Sequence, residues 1–241
     1  MKRYIHLFAL CFSLFFIFWG AGCNDGGGGG SNGVCPETNV NISVCDAGAG
    51  GPFSLTIDNG FFPAVVGSQN VIEGEDDQGV IIRVEITVLD ETEEVADVTT
   101  RVVEEREFED GELVEVSRNF FAQAPDGTVC YFGEDVDNIE DGVVVDNEGS
   151  WRAGENGSVP GIIMPADPQV GMIFMQEGAP GVAEDQAEVI ALGETITVPA
   201  GTFSDTLTTE DCNPLEDGAR DQKVYIRGIG LAIDEDAELQ P

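Results

Sequence analysis

Beyond residue 52 the chain alternates between apolar and polar positions, and the alternation has a period of two. Phe53, Leu55 and Ile57 alternate with polar neighbours. In 79–90, Ile82, Val84, Ile86 and Val88 share one phase while Arg83, Glu85 and Thr87 fill the other. That pattern places one face of a strand against a core and the other in water. The stretch 98–109 continues in kind. Asp110-Gly111 then separates it from 112–123, Asp126-Gly127 stands before 128–134, and Asp141-Gly142 follows an acidic loop and precedes 143–151. Asp-Gly suits a two-residue hairpin because both turn positions need positive φ. Three such turns predict an antiparallel meander.

The second half reads as an irregular Gly/Pro-rich crossing over 150–170, then a strand at 172–177; 183–194 suits a short helix or a strand, and Val189 and Ile190 beside the Gly193 turn favour the strand. A strand follows over 194–203 with a turn at Ala200-Gly201, and others at 204–211 and 222–234. The acidic tail 234–241 is expected to fray. No repeat of solenoid period is present. The prediction is one all-β domain over 52–241, an antiparallel meander forming a curved sheet, an open barrel or a sandwich.

The N-terminus is of another kind. Lys2 and Arg3 precede an apolar run over 5–19, which is too short and too terminal to be read first as a membrane span. Gly20, Ala21 and Gly22 then precede Cys23. This resembles the lipobox of bacterial lipoproteins, in which the cysteine is acylated and becomes the first residue; Gly20 departs from the usual aliphatic residue at that position. The reading is a lipoprotein signal peptide over 1–22 and lipid attachment at Cys23. Residues 24–33, with five consecutive glycines, form a flexible tether of about 15–20 Å reach. Cys35 and Cys45 follow closely. An exported chain meets an oxidising compartment, so a local Cys35–Cys45 disulfide is expected to staple a small collar over 34–51.

Charge narrows the functions. The chain of 241 residues carries 46 acidic and 10 basic side chains, a net charge of −36. Without Lys2 and Arg3 the balance is 8 basic against 46 acidic, or −38. Such a body repels nucleic acid and anionic headgroups. The one histidine, His6, lies in the leader, so the exported chain excludes Ser-His-Asp and Cys-His catalysis and histidine-ligated metals.

A set of phrases occurs in order: YFGEDVD, GSWRAGENG, PGIIMPADP, QEGAPGVAED, ITVPAGTF, NPLE and YIRGIG. Together they resemble a family of uncharacterised bacterial secreted proteins and lipoproteins, over roughly residues 59–233. The resemblance implies an exported single domain and no particular reaction. More loosely, the meander is similar to the open, curved sheets of periplasmic lipoprotein carriers. Cys130 and Cys212 stand where the family has tryptophans. That joint departure implies that the two positions are neighbours bridged by a Cys130–Cys212 disulfide, closing a loop of about 80 residues.

Candidate chemistry lies in the block 129–185. Glu134, Asp135, Asp137, Glu140 and Asp141 form its densest acidic cluster, with Glu184 and Asp185 a second. Calcium favours several oxygen ligands from a flexible loop, but Ile139 breaks the EF-hand spacing. A solvated acidic hairpin tip is the plainer reading, and calcium is the only cofactor to consider. Trp151 and Arg152 are the candidate ligand-binding pair; Trp151 either stacks on a sugar or caps the core, and Arg152 either meets an anion or pairs internally. The expected role is a non-catalytic binding, structural or carrier module. It would be lipid-anchored at the cell membrane or outer membrane, with an envelope protein, lipid or glycan as partner and no nucleic acid. The alternatives are a carboxylate-dependent polysaccharide hydrolase and a calcium-dependent adhesin.

Overall fold

The computed structural model describes residues 34–216 and 218–241. The leader, Cys23 and the glycine tether lie outside the described residues. No α-helix occurs among the described residues, and no helix there is long and apolar enough to cross a membrane. The alternation read in the sequence is realised as two meanders of antiparallel strands.

The N-terminal meander begins after a small ladder of β1 (Ile57–Asp58) and β2 (Pro63–Ala64). It comprises β3 (Gln69–Glu75), β4 (Ile81–Val95), β5 (Val98–Glu109), β6 (Glu112–Gln123) and β7 (Val129–Glu140), each paired with the next. Three short strands line the far edge of β7: β8 (Val143–Asp146), β9 (Trp151–Arg152) and β10 (Gly161–Met164). Asp110 and Gly111 take φ of 48° and 82°, and Asp141 and Gly142 take 49° and 76°. These are the paired left-handed positions predicted for two of the three Asp-Gly signals; at Asp126-Gly127 only Gly127, at 99°, has positive φ. The β4–β5 turn uses Ala96 and Asp97 at 51° and 62° instead.

The C-terminal meander comprises β11 (Ile173–Met175), β12 (Gln186–Leu192), β15 (Thr206–Asn213), β16 (Ala219–Ile226), β17 (Gly230–Asp234) and β18 (Ala237–Leu239). A separate hairpin of β13 (Thr195–Val198) and β14 (Gly201–Ser204) rises between β12 and β15. The stretch 222–234, expected as one strand, is the β16–β17 hairpin. The tail does not fray. β18 pairs with both β17 and β3, joining the two meanders into one sheet. Ala237 and Leu239 are buried, and the Gln240 N–H donates to the Val71 carbonyl at 2.9 Å. Within β18 the buried Ala237 and Leu239 flank Glu238, which stays half-buried, so the ladder forms without enclosing that acid.

The sheet curls strongly. Lys223 of β16 acts electrostatically on Glu105 of β5, although four strands lie between them along the sheet. The two edge strands, β10 and β11, come together without forming a ladder, so the sheet is not closed into a barrel. Beside them the Val159 N–H donates to the Gly178 carbonyl at 2.8 Å. Gly161 permits the approach, since a Cβ there would collide with the Gln176 carbonyl.

The collar bridges this seam, and the disulfides differ from the expected pairs. Cys35 bonds Cys212 of β15, and Cys45 bonds Cys130 of β7. There is neither a Cys35–Cys45 staple nor a Cys130–Cys212 bridge. The Asn39 N–H donates to the Ile173 carbonyl at 2.8 Å, and Ile173 N–H donates to Asn39 Oδ1 at 2.9 Å, docking the collar on β11. Cys45 then sits fully buried at the end of a 3₁₀ turn, Ile42–Cys45. One disulfide therefore holds each meander. The sequence separations of 177 and 85 restrict the unfolded chain far more than a ten-residue loop would, by roughly 5 kcal/mol each in loop-closure entropy.

Candidate functional site

The stretch 134–140, expected as a flexible acidic loop, is the second half of β7. Consecutive residues of a strand point to opposite faces, so its acids are divided between two environments. Glu134 is buried at 1% exposure while Asp135 is exposed. This geometry cannot gather Glu134, Asp135 and Asp137 around one ion. Asp137 accepts from Asn147 Nδ2 at 2.8 Å, and Asp141 lies exposed in its turn. Of the second acidic pair, Glu184 accepts from the Gly181 N–H at 3.1 Å. Burial and the nearby Asp211 push Asp185 up to about 7. Among the described residues no set of three or more cysteine, histidine or acidic side chains is placed to hold a metal ion.

On the outer side of β7 a backbone irregularity shapes a small pocket. Gly133 has φ of 132°, and a Cβ there would collide with the Trp151 carbonyl. Glycine therefore lets β9 lie against β7, with Gly133 opposite Arg152 and Glu134 opposite Trp151. The pocket has a volume of about 240 Å³ and is lined by Asp135, Ser150, Trp151, Arg152, Glu155, Asn156, Ser158, Pro180 and Val182. The two residues singled out in the sequence thus meet at one concavity, but each is already engaged.

Arg152 forks onto the Asp135 carboxylate at 2.6 and 3.2 Å and reaches Glu93 at 2.7 Å. Its guanidinium lies 4.7 Å above the Phe120 ring. Burial would lower its pKa, but Asp135 and Glu93 together raise it. The cation is balanced internally, so an anionic ligand gains little from it. Trp151 is 5% exposed and packs edge-on against Tyr131 at 5.3 Å. Tyr131 in turn stacks on Phe121 at 4.7 Å. The ring is a core element and offers no open face for a sugar; its Nε1 is buried without a hydrogen-bond partner. What remains for a ligand is a rim of hydroxyl, amide and carboxylate groups, suited to a small, neutral, polyhydroxylated molecule.

A second feature lies inside the curled sheet and was not read from the sequence. Glu105 and Glu107 of β5, Glu115 of β6 and Glu134 of β7 are all buried, as are Glu177, Asp211 and Asp234 from the other meander. Glu107 faces Glu115 directly across the β5–β6 ladder. Lys223 is the one buried lysine among the described residues and holds Asp234 through two bonds of 2.7 and 2.8 Å. Burial pushes Glu105 up to about 8, with Lys223 opposing. Burial and Glu105 push Glu115 up to about 8. Glu107 is raised well above the usual range by burial and Glu115, and Glu134 by burial and Glu177. One oxygen each of Glu105 and Glu134 is buried without a hydrogen-bond partner. At neutral pH burial thus favours the protonated form of Glu105, Glu107, Glu115 and Glu134. For Lys223, burial is overcome by Asp234 and Asp211, and the ammonium stays charged.

Hydrophobic pattern could not reveal this cluster. In VTTRVVEEREFE both phases of β5 carry acids, so the inward face is indistinguishable from the outward one until the register is known. No family model, curated protein or solved structure matches the chain.

Proposed function

We propose that this is an exported envelope protein, lipidated at Cys23, that acts by binding rather than by catalysis. The observation that carries this reading is the N-terminal construction. A basic-then-apolar leader and a cysteine are followed by a glycine tether and then by a collar fixed to both meanders by disulfides. Disulfides are compatible with export. A tether ahead of a rigid body lets a strongly acidic domain stand clear of anionic lipid. The pocket beside Arg152 supports a binding role, because its polar rim can meet hydroxyl groups of a glycan or headgroup while its cation is already balanced.

The anchoring is tested by fractionation and mass analysis of the full chain. Expected are a membrane-bound protein whose N-terminal peptide begins at an acylated Cys23, and release of a Cys23→Ser variant into the soluble fraction. A soluble wild-type protein with an unmodified Cys23 would overturn it. The pocket is tested with a panel of neutral oligosaccharides by calorimetry, comparing wild type with Ser158→Trp, which fills the pocket. Binding that the variant keeps at full strength would place the ligand elsewhere.

A further inference from the structure

We propose that β8 is a docking edge onto which an extended segment of a basic partner protein adds as a further β-strand. All four residues of β8 are exposed, and Val143, Val144 and Val145 are 64, 48 and 50% exposed. Three adjacent β-branched residues strongly favour extended backbone while leaving about half or more of their surface in water. Among the described residues β8 pairs only with β7, so its other edge is open. The two-residue turn Asp141–Gly142 makes Glu140 and Val143 the hydrogen-bonded pair that closes the hairpin. The next pair, Ile139 and Val144, is then of the other kind, and the Val144 N–H and C=O point away from β7. Proteins usually blunt such edges with lysine or proline; β8 has neither.

The edge is also held in shape. Asn138 Nδ2 donates to Asp146 Oδ1 at 2.7 Å, and Asn147 Nδ2 donates to the Val136 carbonyl at 2.6 Å. A partner strand therefore meets backbone that is already extended and loses little in ordering it.

Charge selects the occupant. Glu140, Asp141, Asp146 and Glu148 are exposed around the edge, and no lysine or arginine occurs from residue 129 to 151. A second copy, also at −36, is repelled. A strand alternating Lys or Arg with Val or Ile would satisfy the free backbone groups, cover the valines and balance the acids, which is strand addition with charge complementarity. This edge is separate from the pocket beside Arg152, and either proposal can fail without the other.

The test uses the full chain and three fluorescent heptapeptides: alternating Lys-Val, alternating Glu-Val, and alternating Lys-Gly. The Lys-Val peptide is expected to bind and to slow amide exchange in 143–146, the other two at least tenfold less. Val144→Pro removes the outward donor without removing a bond to β7 and is expected to weaken binding about tenfold. Val144→Lys keeps that donor but repels the peptide, and is expected to weaken binding at least as much. Melting temperatures show that each variant is folded. Equal binding of the Lys-Gly peptide, full binding by both variants, or sedimentation showing that the wild-type chain pairs with itself through β8 would each overturn the proposal.

Discussion

Glu107 and Glu115 face each other directly across the β5–β6 ladder, and both side chains are buried. Like charges in that relationship are unfavourable even at a surface; inside the sheet at least one carboxyl must keep its proton. Glu105 and Glu115 have folded-state pKa values raised to about 8 from an ordinary 4.5. The folded chain then binds more protons than the unfolded chain between those values. A group of this kind contributes stability that is fully present below its unfolded pKa and is lost as pH rises through its folded pKa. Thermal unfolding should therefore show a melting temperature that falls from pH 5 to pH 8, by about 1.4 kcal/mol of stability per pH unit for each such group. Glu115→Gln should flatten that slope and stabilise by roughly 1–3 kcal/mol at pH 8 while changing little at pH 5. A melting temperature that rises over the interval would contradict the buried, protonated interior.

Lys223 and Asp234 are the ionised pair within that interior. Lys223→Met should cost about 3–5 kcal/mol, because it leaves Asp234 buried among other acids. The double variant Lys223→Met/Asp234→Leu should recover most of the loss. Urea titrations of the two variants decide it: equal destabilisation would mean that the pair contributes by packing and not by charge.

The disulfides predict a particular peptide map. Under non-reducing conditions the peptide with Cys35 should be found joined to that with Cys212, and Cys45 to Cys130. Cys45→Ser/Cys130→Ser should lower stability by about 3–5 kcal/mol. The loss should exceed that of Cys35→Ser/Cys212→Ser, since Cys45 and Cys130 are fully buried. A Cys35–Cys45 peptide in the map would refute the collar as described.

Gly133 supports the pocket through its backbone. Gly133→Ala meets both a φ of 132° and the Trp151 carbonyl. It should destabilise by at least 2 kcal/mol and expose Trp151, seen as a red shift of its fluorescence. Gly111→Ala meets nothing within 4 Å and carries only the cost of its positive φ, so it should lose less and leave the emission in place.

Local signals predicted local structure well. The stretches 98–109 and 112–123 are β5 and β6 to the residue, because Asp110-Gly111 fixes a hairpin and the hairpin fixes register. Signals failed where the deciding partner is remote. The acids of 134–140 suggested a loop, but their partners on β6 hold them as strand. The tail 234–241 lacks the length to fold alone, and β3, more than 160 residues earlier in the sequence, gives it a ladder. Ala96 and Asp97 make a turn with no glycine to announce it. Cysteine spacing favoured the nearest pair, whereas the curl of the sheet brings both meanders to the collar. At the candidate site, Trp151 and Arg152 were found from their rarity in an acidic chain, but burial of the one and pairing of the other depend on Tyr131, Glu93 and Asp135.

The collar also sets how the body bears mechanical load. A pull applied from the N-terminal side arrives first at Cys35 and passes covalently into β15 through Cys212. β15 lies inside the sheet between β12 and β16, so the force bypasses the collar, β1 and β3. The N-terminal strands cannot be peeled away one by one. The domain yields only when a strand bonded along both sides gives way, or when the disulfide is reduced. A body held at one end and tugged by a partner at β8 would therefore transmit tension across the whole sheet rather than unravel from its attached end.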